Sequence, residues 1–317
     1  MTLTSKLFTE IFRPKEIKKM VLPDRIRQEL EKGLSQNMLF YSTSPGSGKT
    51  TATRILSEGY DILYINASAE RGIDVIRESI MNFAGTYTFD GASGKKVVVL
   101  EEMDGLTTDS FNALRAVIEK YSDNVRFIGN CNNINKIPEP IQSRFNCIPF
   151  YPINVEENNK LFDDYCSYVS AVLNISKIGI KYDDETLREF VKTYFPNMRS
   201  IMNAIQSLST QGITELNRDA IIKTFNCSDL FESIFNSKDP VENYKLVMSS
   251  YSSDVDSTMA AFSTDFINFI INTHPDKIDR IPCSIIAIAN YVSQLSTSID
   301  KVLVLLATVY KLQEIMK

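Results

Sequence analysis

The sequence predicts an α/β fold in which a parallel sheet with covering helices is followed by all-helical regions. Two observations carry this. Between residues 36 and 150, short apolar runs alternate with helix-like stretches, the pattern of parallel strands joined by crossover helices. After Pro152 the strand signals stop, and helical spacing continues to the end.

The expected strands are Asn37–Tyr41, Ile62–Asn66, Lys96–Leu100, Val125–Gly129 and Cys147–Phe150. Each is short and apolar, as suits strands covered on both faces. Residues 155–225 read as several amphipathic helices with a break at Phe195-Pro196-Asn197. Residues 229–317 also read as helical, and Val302, Leu303, Leu305, Leu306, Val309, Tyr310 and Leu312 keep helical spacing in the closing stretch. The expected domains are therefore 1–152, an α/β domain; 153–228, a small helical lid; and 229–317, a C-terminal helical bundle.

Composition narrows the chemistry. The chain has 317 residues, 44% of them hydrophobic, enough for about two domains with ordinary cores. No apolar run approaches the ~20 residues that cross a bilayer. The opening MTLTSKLFTEIFRPK lacks a continuous apolar segment of the secretory kind. The expectation is a soluble intracellular protein without membrane partners, cytoplasmic, and in the host cytoplasm if viral. The five cysteines, Cys131, Cys147, Cys166, Cys227 and Cys283, form no C-x-x-C pair and read as buried, reduced thiols. A single histidine, His274, excludes Ser-His-Asp triads and H-E-x-x-H zinc sites. The mild net charge of −5 argues against a diffuse polybasic nucleic-acid binder, yet leaves room for local phosphate contacts through a few cations and helix N-termini.

After the first strand comes Thr43-Ser44-Pro45-Gly46-Ser47-Gly48-Lys49-Thr50-Thr51. This is a P-loop in which Thr43 stands at the usual first glycine. Gly46 and Gly48 let the backbone wrap a phosphate, and the loop N–H groups with the following helix N-terminus make an anion cradle. Pro45, Ser47 and Thr51 belong to the same cradle. Lys49 reaches the β/γ-phosphates of ATP, and the Thr50 hydroxyl ligates Mg²⁺. A glycine-rich turn before an ordinary helix would look similar, but the preceding strand and the amphipathic Ala52, Ile55 and Leu56 favour the phosphate loop.

Val97-Val98-Val99-Leu100 runs straight into Glu101-Glu102-Met103-Asp104. Acids after a strand are usually a solvated loop. Downstream of a P-loop they resemble a Walker B strand, with Glu101 supporting Mg²⁺ and Glu102 orienting and activating the attacking water. Relatives usually carry Asp at the first position, so Glu101 is a departure that bears on metal geometry and hydrolysis rate.

Further segments narrow the family. Asn66-Ala67-Ser68-Ala69-Glu70-Arg71-Gly72-Ile73-Asp74-Val75-Ile76-Arg77, Asn112-Ala113-Leu114-Arg115 with Glu119-Lys120-Tyr121-Ser122, the run Val125 to Asn133, and Ile141-Gln142-Ser143-Arg144 together resemble replication factor C small subunits. The short length and Phe195-Pro196-Asn197-Met198-Arg199 also resemble the large subunit of T-even-type bacteriophage clamp loaders. The resemblance covers about residues 10–205 and identifies an AAA+ subunit of a sliding-clamp loader. Beyond that, only helical character and length match.

The resemblance implies roles for particular residues. Phe12, Arg13 and Pro14 match an element beside the nucleotide base. Phe12, Val21 and Leu22 would wall the adenine, although by composition they fit an ordinary core equally. Asn132 matches sensor 1 near the γ-phosphate, and Arg199 matches sensor 2, which carries charge from the lid to the phosphates. Arg144 matches an arginine finger acting in trans on the neighbouring subunit's nucleotide, with Phe145 in place of the usual Cys. Arg115 is a second trans arginine. Phe111 replaces a glutamine that couples subunits in relatives. Arg71 and Arg77 match positions that follow DNA phosphates, contacts that position a duplex without reading it.

The implied function is an ATPase motor of a clamp loader. ATP binding opens and holds the clamp, and DNA-stimulated hydrolysis releases it on primer–template DNA. The implied partners are further copies in a ring or spiral, a distinct small clamp-loader subunit, the sliding clamp and primer–template DNA, with the C-terminal helices forming a collar. The alternatives are another AAA+ DNA-remodelling ATPase, such as a Holliday-junction motor or helicase loader, and a nucleotide-gated, non-hydrolysing scaffold subunit.

Overall fold

In a computed structural model, the structure describes residues 7–69, 73–85, 96–176, 178–222, 224, 227–237, 239–252, 255–295, 298 and 300–317. The chain divides into two compact units. The first comprises Met1–Val172 and Tyr194–Asn203, and the second Leu173–Thr193 and Ala204–Lys317.

The first unit is built on strands β1 (Met38–Tyr41), β2 (Asp61–Asn66), β3 (Lys96–Glu101), β4 (Val125–Cys131) and β5 (Asn146–Pro149). They form one parallel sheet in the order β2-β3-β4-β1-β5. The helices before and between them are α1 (Phe8–Ile11), α2 (Asp24–Glu31), α3 (Lys49–Leu56), α4 (Ile73–Gly85), α5 (Thr108–Lys120) and α6 (Glu139–Gln142). Helix α7 (Val155–Leu173) follows the sheet.

Side-chain alternation along β3 shows why the sheet is sandwiched. Val97 and Val99 join Ile26, Leu30, Ala52 and Phe40 on the face carrying α2 and α3. Val98 and Leu100 point the other way, into Ile80, Leu114, Val117 and Phe127 beneath α4 and α5. Successive side chains of a strand face opposite sides, so an unbroken Val-Val-Val-Leu run requires cover on both. Each such buried side chain contributes roughly 1.5–3 kcal/mol.

The expectation of two-sided cover fails for β2. It is an edge strand, and Asp61, Tyr64 and Asn66 are exposed along it. Two departures from the resembling family have a packing explanation. Phe111 and Phe145 are both buried in the α4/α5 core, so an apolar contact replaces the polar or thiol group at each position. The thiols also differ from expectation, since Cys131 and Cys166 are buried but Cys283 is exposed.

The segment after α7 is helical, as its spacing predicts. Helix α8 (Asp184–Tyr194) ends before the cis Phe195–Pro196 bond, and α9 (Met198–Thr210) begins immediately after it. The second unit continues with α10 (Arg218–Ile222), α11 (Ser228–Asn236), α12 (Pro240–Leu246), α13 (Val255–Thr264), α14 (Phe266–Thr273), α15 (Ile281–Gln294) and α16 (Lys301–Met316). Phe231 packs edge-on against Phe262, Phe266 and Phe269 with ring centroids 5.0, 5.2 and 5.5 Å away. His274 stacks on Phe235 at 3.8 Å, a packing role. No helix among the described residues is long and apolar enough to cross a membrane.

Candidate functional site

The carboxyl ends of β1, β3 and β4 open into a cleft within the first unit, the usual ligand position in open parallel sheets. Pro45, Gly46, Ser47, Gly48, Lys49, Thr50 and Thr51 line its floor. Gly46 and Gly48 adopt φ of +70° and +97°, which a side chain would strain, and the chain then turns directly into α3. The loop amides and the start of α3 make this floor favourable for an anion. The Ser47 hydroxyl oxygen is buried there with no hydrogen-bond partner.

Lys49 is fixed from behind, its ammonium donating to the Ser42 carbonyl at 3.3 Å. Burial pulls its pKa below the usual lysine range, against the opposing pull of Cys131, Glu101 and Asp104. An incoming phosphate supplies the countercharge this desolvated ammonium needs. The first turn of α3 is tied to β4 by a buried chain of hydrogen bonds. Asn130 Nδ2 donates to Thr53 Oγ1 at 3.0 Å, and that hydroxyl donates to the Lys49 carbonyl at 3.1 Å.

Glu101, the last residue of β3, faces Thr50, whose hydroxyl donates to Oε2 at 3.3 Å. The other oxygen, Oε1, is buried and unpartnered. A hydroxyl and an orphaned carboxylate oxygen form a hard-oxygen donor set that fits Mg²⁺. Glu102 is exposed at the cleft and has φ 53° and ψ 43°, a left-handed conformation uncommon for a residue with a side chain. Such strain concentrates at functional sites. It turns the backbone between the two adjacent carboxylates.

Asn132 and Arg199 line the same cleft, and Arg199 is exposed. Arg199 lies in the first turn of α9, which is capped by Asn197 accepting from the Ser200 amide at 3.2 Å. Phe12, Arg13 and Val21 also line the cleft. Phe12 packs edge-on against Phe8 at 5.3 Å, and its carbonyl accepts from the Tyr168 hydroxyl at 2.6 Å.

The residues expected to hold nucleotide and metal within their own subunit therefore line this cleft, except Leu22, which is buried in the core on the α2/α3 face and does not wall it. Arg144 and Arg115 do not line it. They share Glu119 instead, which pairs with Arg144 and accepts from Arg115 Nε at 3.4 Å. Arg77 is exposed on α4, whereas Arg71 lies outside the described residues.

The structure adds residues that sequence reasoning missed. Tyr165, Tyr168, Met198 and Met202 also line the cleft. Spaced aromatics and methionines on a helix look like core, so local spacing gave no signal for them. Asp104 is a second case. Its two carboxylate oxygens accept from the backbone amides of Asn132 at 3.4 Å and Asn133 at 3.2 Å, joining the turn after β3 to the loop after β4.

Comparisons with known proteins show what the chain is similar to. Residues 38–152 match the AAA family, the ATPase family associated with various cellular activities. The replication factor C small subunit of Methanocella arvoryzae is 33% identical over 231 residues, covering 69% of this chain and 68% of that protein. Its counterpart in Saccharolobus solfataricus is 36% identical over 228 residues, covering 68% of this chain and 65% of that protein, just under two thirds of its length. Replication factor C subunit 3 of Schizosaccharomyces pombe is 40% identical over 190 residues, covering 54% and 55%. Among solved structures, the Thermotoga maritima RuvB Holliday junction branch migration motor is similar in fold, with a TM-score of 0.51 at 15% identity over 82% of this chain and 90% of that one. A nucleotide-binding AAA+ α/β domain with a helical C-terminal region, together with these relatives, shows that the chain belongs to the replication factor C small-subunit family.

Proposed function

We propose that the protein is the ATP-hydrolysing motor subunit of a DNA-polymerase sliding-clamp loader. It works beside further copies of itself in a ring or spiral, with a distinct small clamp-loader subunit, the clamp and primer–template DNA. Residues 1–152 act as the ATPase domain, 153–228 as the lid and 229–317 as the collar. The observation that carries this is a division of labour. Lys49, Thr50, Glu101, Glu102, Asn132 and Arg199 line one cleft, while Arg144 and Arg115 lie together outside it. That division suits a site completed by a neighbour.

In this reading the P-loop amides and Lys49 hold the β- and γ-phosphates of ATP, and Phe12, Arg13 and Val21 bound the base. Thr50 and Glu101 would hold Mg²⁺, which would supply neutralising charge at the phosphate oxygens. Glu102 orients a water and takes its proton as the water oxygen attacks the γ-phosphorus, and the bond to the bridging oxygen of ADP breaks. Asn132 and Arg199 steady the γ-phosphate oxygens. Arg144 from the adjacent copy meets the charge that develops there, a contribution of about 10³–10⁵ in rate for such residues. ATP thus bridges two copies and favours the spiral that holds an open clamp. DNA held by Arg71 and Arg77 aligns the water, and loss of the γ-phosphate loosens the interface and releases the clamp.

The test is ATP turnover with and without clamp and primed DNA. The proposal expects both together to stimulate turnover, and Arg144→Ala to spare ATP binding while removing the stimulated rate. Stimulated turnover that survives Arg144→Ala would disprove a shared site.

A further inference from the structure

We infer that Glu119 is a positioning residue for the trans arginines: its carboxylate holds Arg144 and Arg115 as one preset pair for the neighbouring copy's phosphates. The inference rests on the trans reading of Arg144 given above.

The two guanidiniums come from separate elements, Arg115 from the middle of α5 and Arg144 from just beyond α6. Like charges so placed repel and splay unless something draws them together. One atom does so. Oε1 of Glu119 pairs with Nη2 of Arg144 and lies 3.4 Å from Nε of Arg115. The Arg144 pairing, followed by that of Arg115, also holds the Glu119 carboxyl below the usual carboxylate range, so it stays ionised at neutral pH.

Arg144 is anchored at its other end as well. Its Nη1 donates to the Pro140 carbonyl and, at 3.4 Å, to the Ser143 hydroxyl. A guanidinium has five N–H donors. Three are engaged by Pro140, Ser143 and Glu119, which leaves two for a phosphate. The group is therefore fixed at both ends while keeping donors to offer. Two arginines against one carboxylate also leave the patch with a net charge of about +1, attractive to an anion. An exposed Arg–Glu pair adds little to stability, so the value of this cluster lies in aim. A displacement of about 1 Å at such a site costs on the order of 10² in rate.

Trans-complementation tests this in the assembled complex. Lys49→Ala subunits donate arginines but cannot turn over ATP, and Arg144→Ala subunits offer an intact cleft but no finger. In their mixture, turnover arises only where an Arg144→Ala cleft meets a Lys49→Ala donor. Adding Glu119→Gln to the donor is expected to lower kcat about 10-fold or more with the KM for ATP unchanged, and Glu119→Asp to restore most of it. Adding Glu119→Gln to the Arg144→Ala subunit is expected to change nothing.

Unchanged turnover with the Glu119→Gln donor would overturn the inference. So would an equal loss when the change is placed on the cleft side, which would mean that Glu119 acts on its own subunit. A folded Glu119→Gln donor that fails to join the complex by native mass would assign Glu119 to docking instead, also against the inference. A parent mixture with no turnover at all would bring down the trans reading itself, a result distinct from the others.

Discussion

Thr50 and Glu101 meet across the cleft through a 3.3 Å hydrogen bond from hydroxyl to Oε2, which leaves Oε1 buried and without a partner. A buried carboxylate oxygen without a donor is unfavourable by itself and is satisfied by a cation. Glu101→Gln keeps the shape but replaces one oxygen with an amide. The expected result is at least a ~10-fold rise in the Mg²⁺ needed for half-maximal turnover, read from a magnesium titration of ATPase rate. Nucleotide affinity without magnesium should change little.

Gly46 admits no side chain for two separate reasons. Its φ is +70°, and a Cβ there would lie 2.0 Å from Oδ1 of Asn197. Gly46→Ala is expected to cost about 1–3 kcal/mol of strain and to weaken ATP binding by at least ~10-fold. Adding Asn197→Gly removes the nearest contact, but the φ and a 3.1 Å approach to the Arg199 backbone nitrogen remain. Fluorescent-nucleotide titration of both variants should therefore show only partial recovery in the double substitution.

Asp104→Asn is expected to separate binding from turnover. Asp104 holds the backbone amides of Asn132 and Asn133 and does not itself line the cleft. Asp104→Asn swaps one acceptor for a donor facing an N–H group. Turnover should fall about 10-fold while the KM for ATP stays within about threefold, a pattern that marks an effect confined to the transition state. A matched loss in ATP affinity would place Asp104 in ground-state binding instead.

The thiols provide a pH test. Burial, reinforced by Asp104, pushes Cys131 up to about 12. Only the thiolate is nucleophilic, so at pH 8 about one part in 10⁴ of Cys131 is reactive. Cys283 is exposed. Iodoacetamide at pH 8 followed by mass spectrometry should label Cys283 promptly and leave Cys131 unmodified. Labelling of Cys131 should rise only as pH climbs toward the value at which its proton leaves.

Much of this architecture is legible in local sequence, for physical reasons that also mark where legibility ends. Val97 to Leu100 must be a doubly covered strand because a run of four apolar side chains alternates between two faces, and both faces are packed. The edge strand β2 has similar apolar content, but strand order depends on long-range pairing, so its open side carries no local mark. Lys49, Thr50 and Glu101 are readable because phosphate and metal chemistry constrains residue type at short spacing. Asp104 is not, since its partners lie on another loop. Glu119 stands in a segment that resembles the family, yet its link to Arg144 exists only once α5 and the segment after α6 come together. Phe111 and Phe145 stood out as departures, and burial explains them.

A hydrogen-bond chain runs from Asn130 through Thr53 to the Lys49 carbonyl. It welds the phosphate-gripping end of α3 to the strand that leads into Asn132, so these two parts of the cleft cannot drift apart when nucleotide leaves. In the proposed cycle the receptacle stays assembled between turnovers, so the entropy of arranging it is settled during folding rather than at each encounter. Slow steps in the working cycle should then belong to movements between subunits, not to rebuilding the pocket floor.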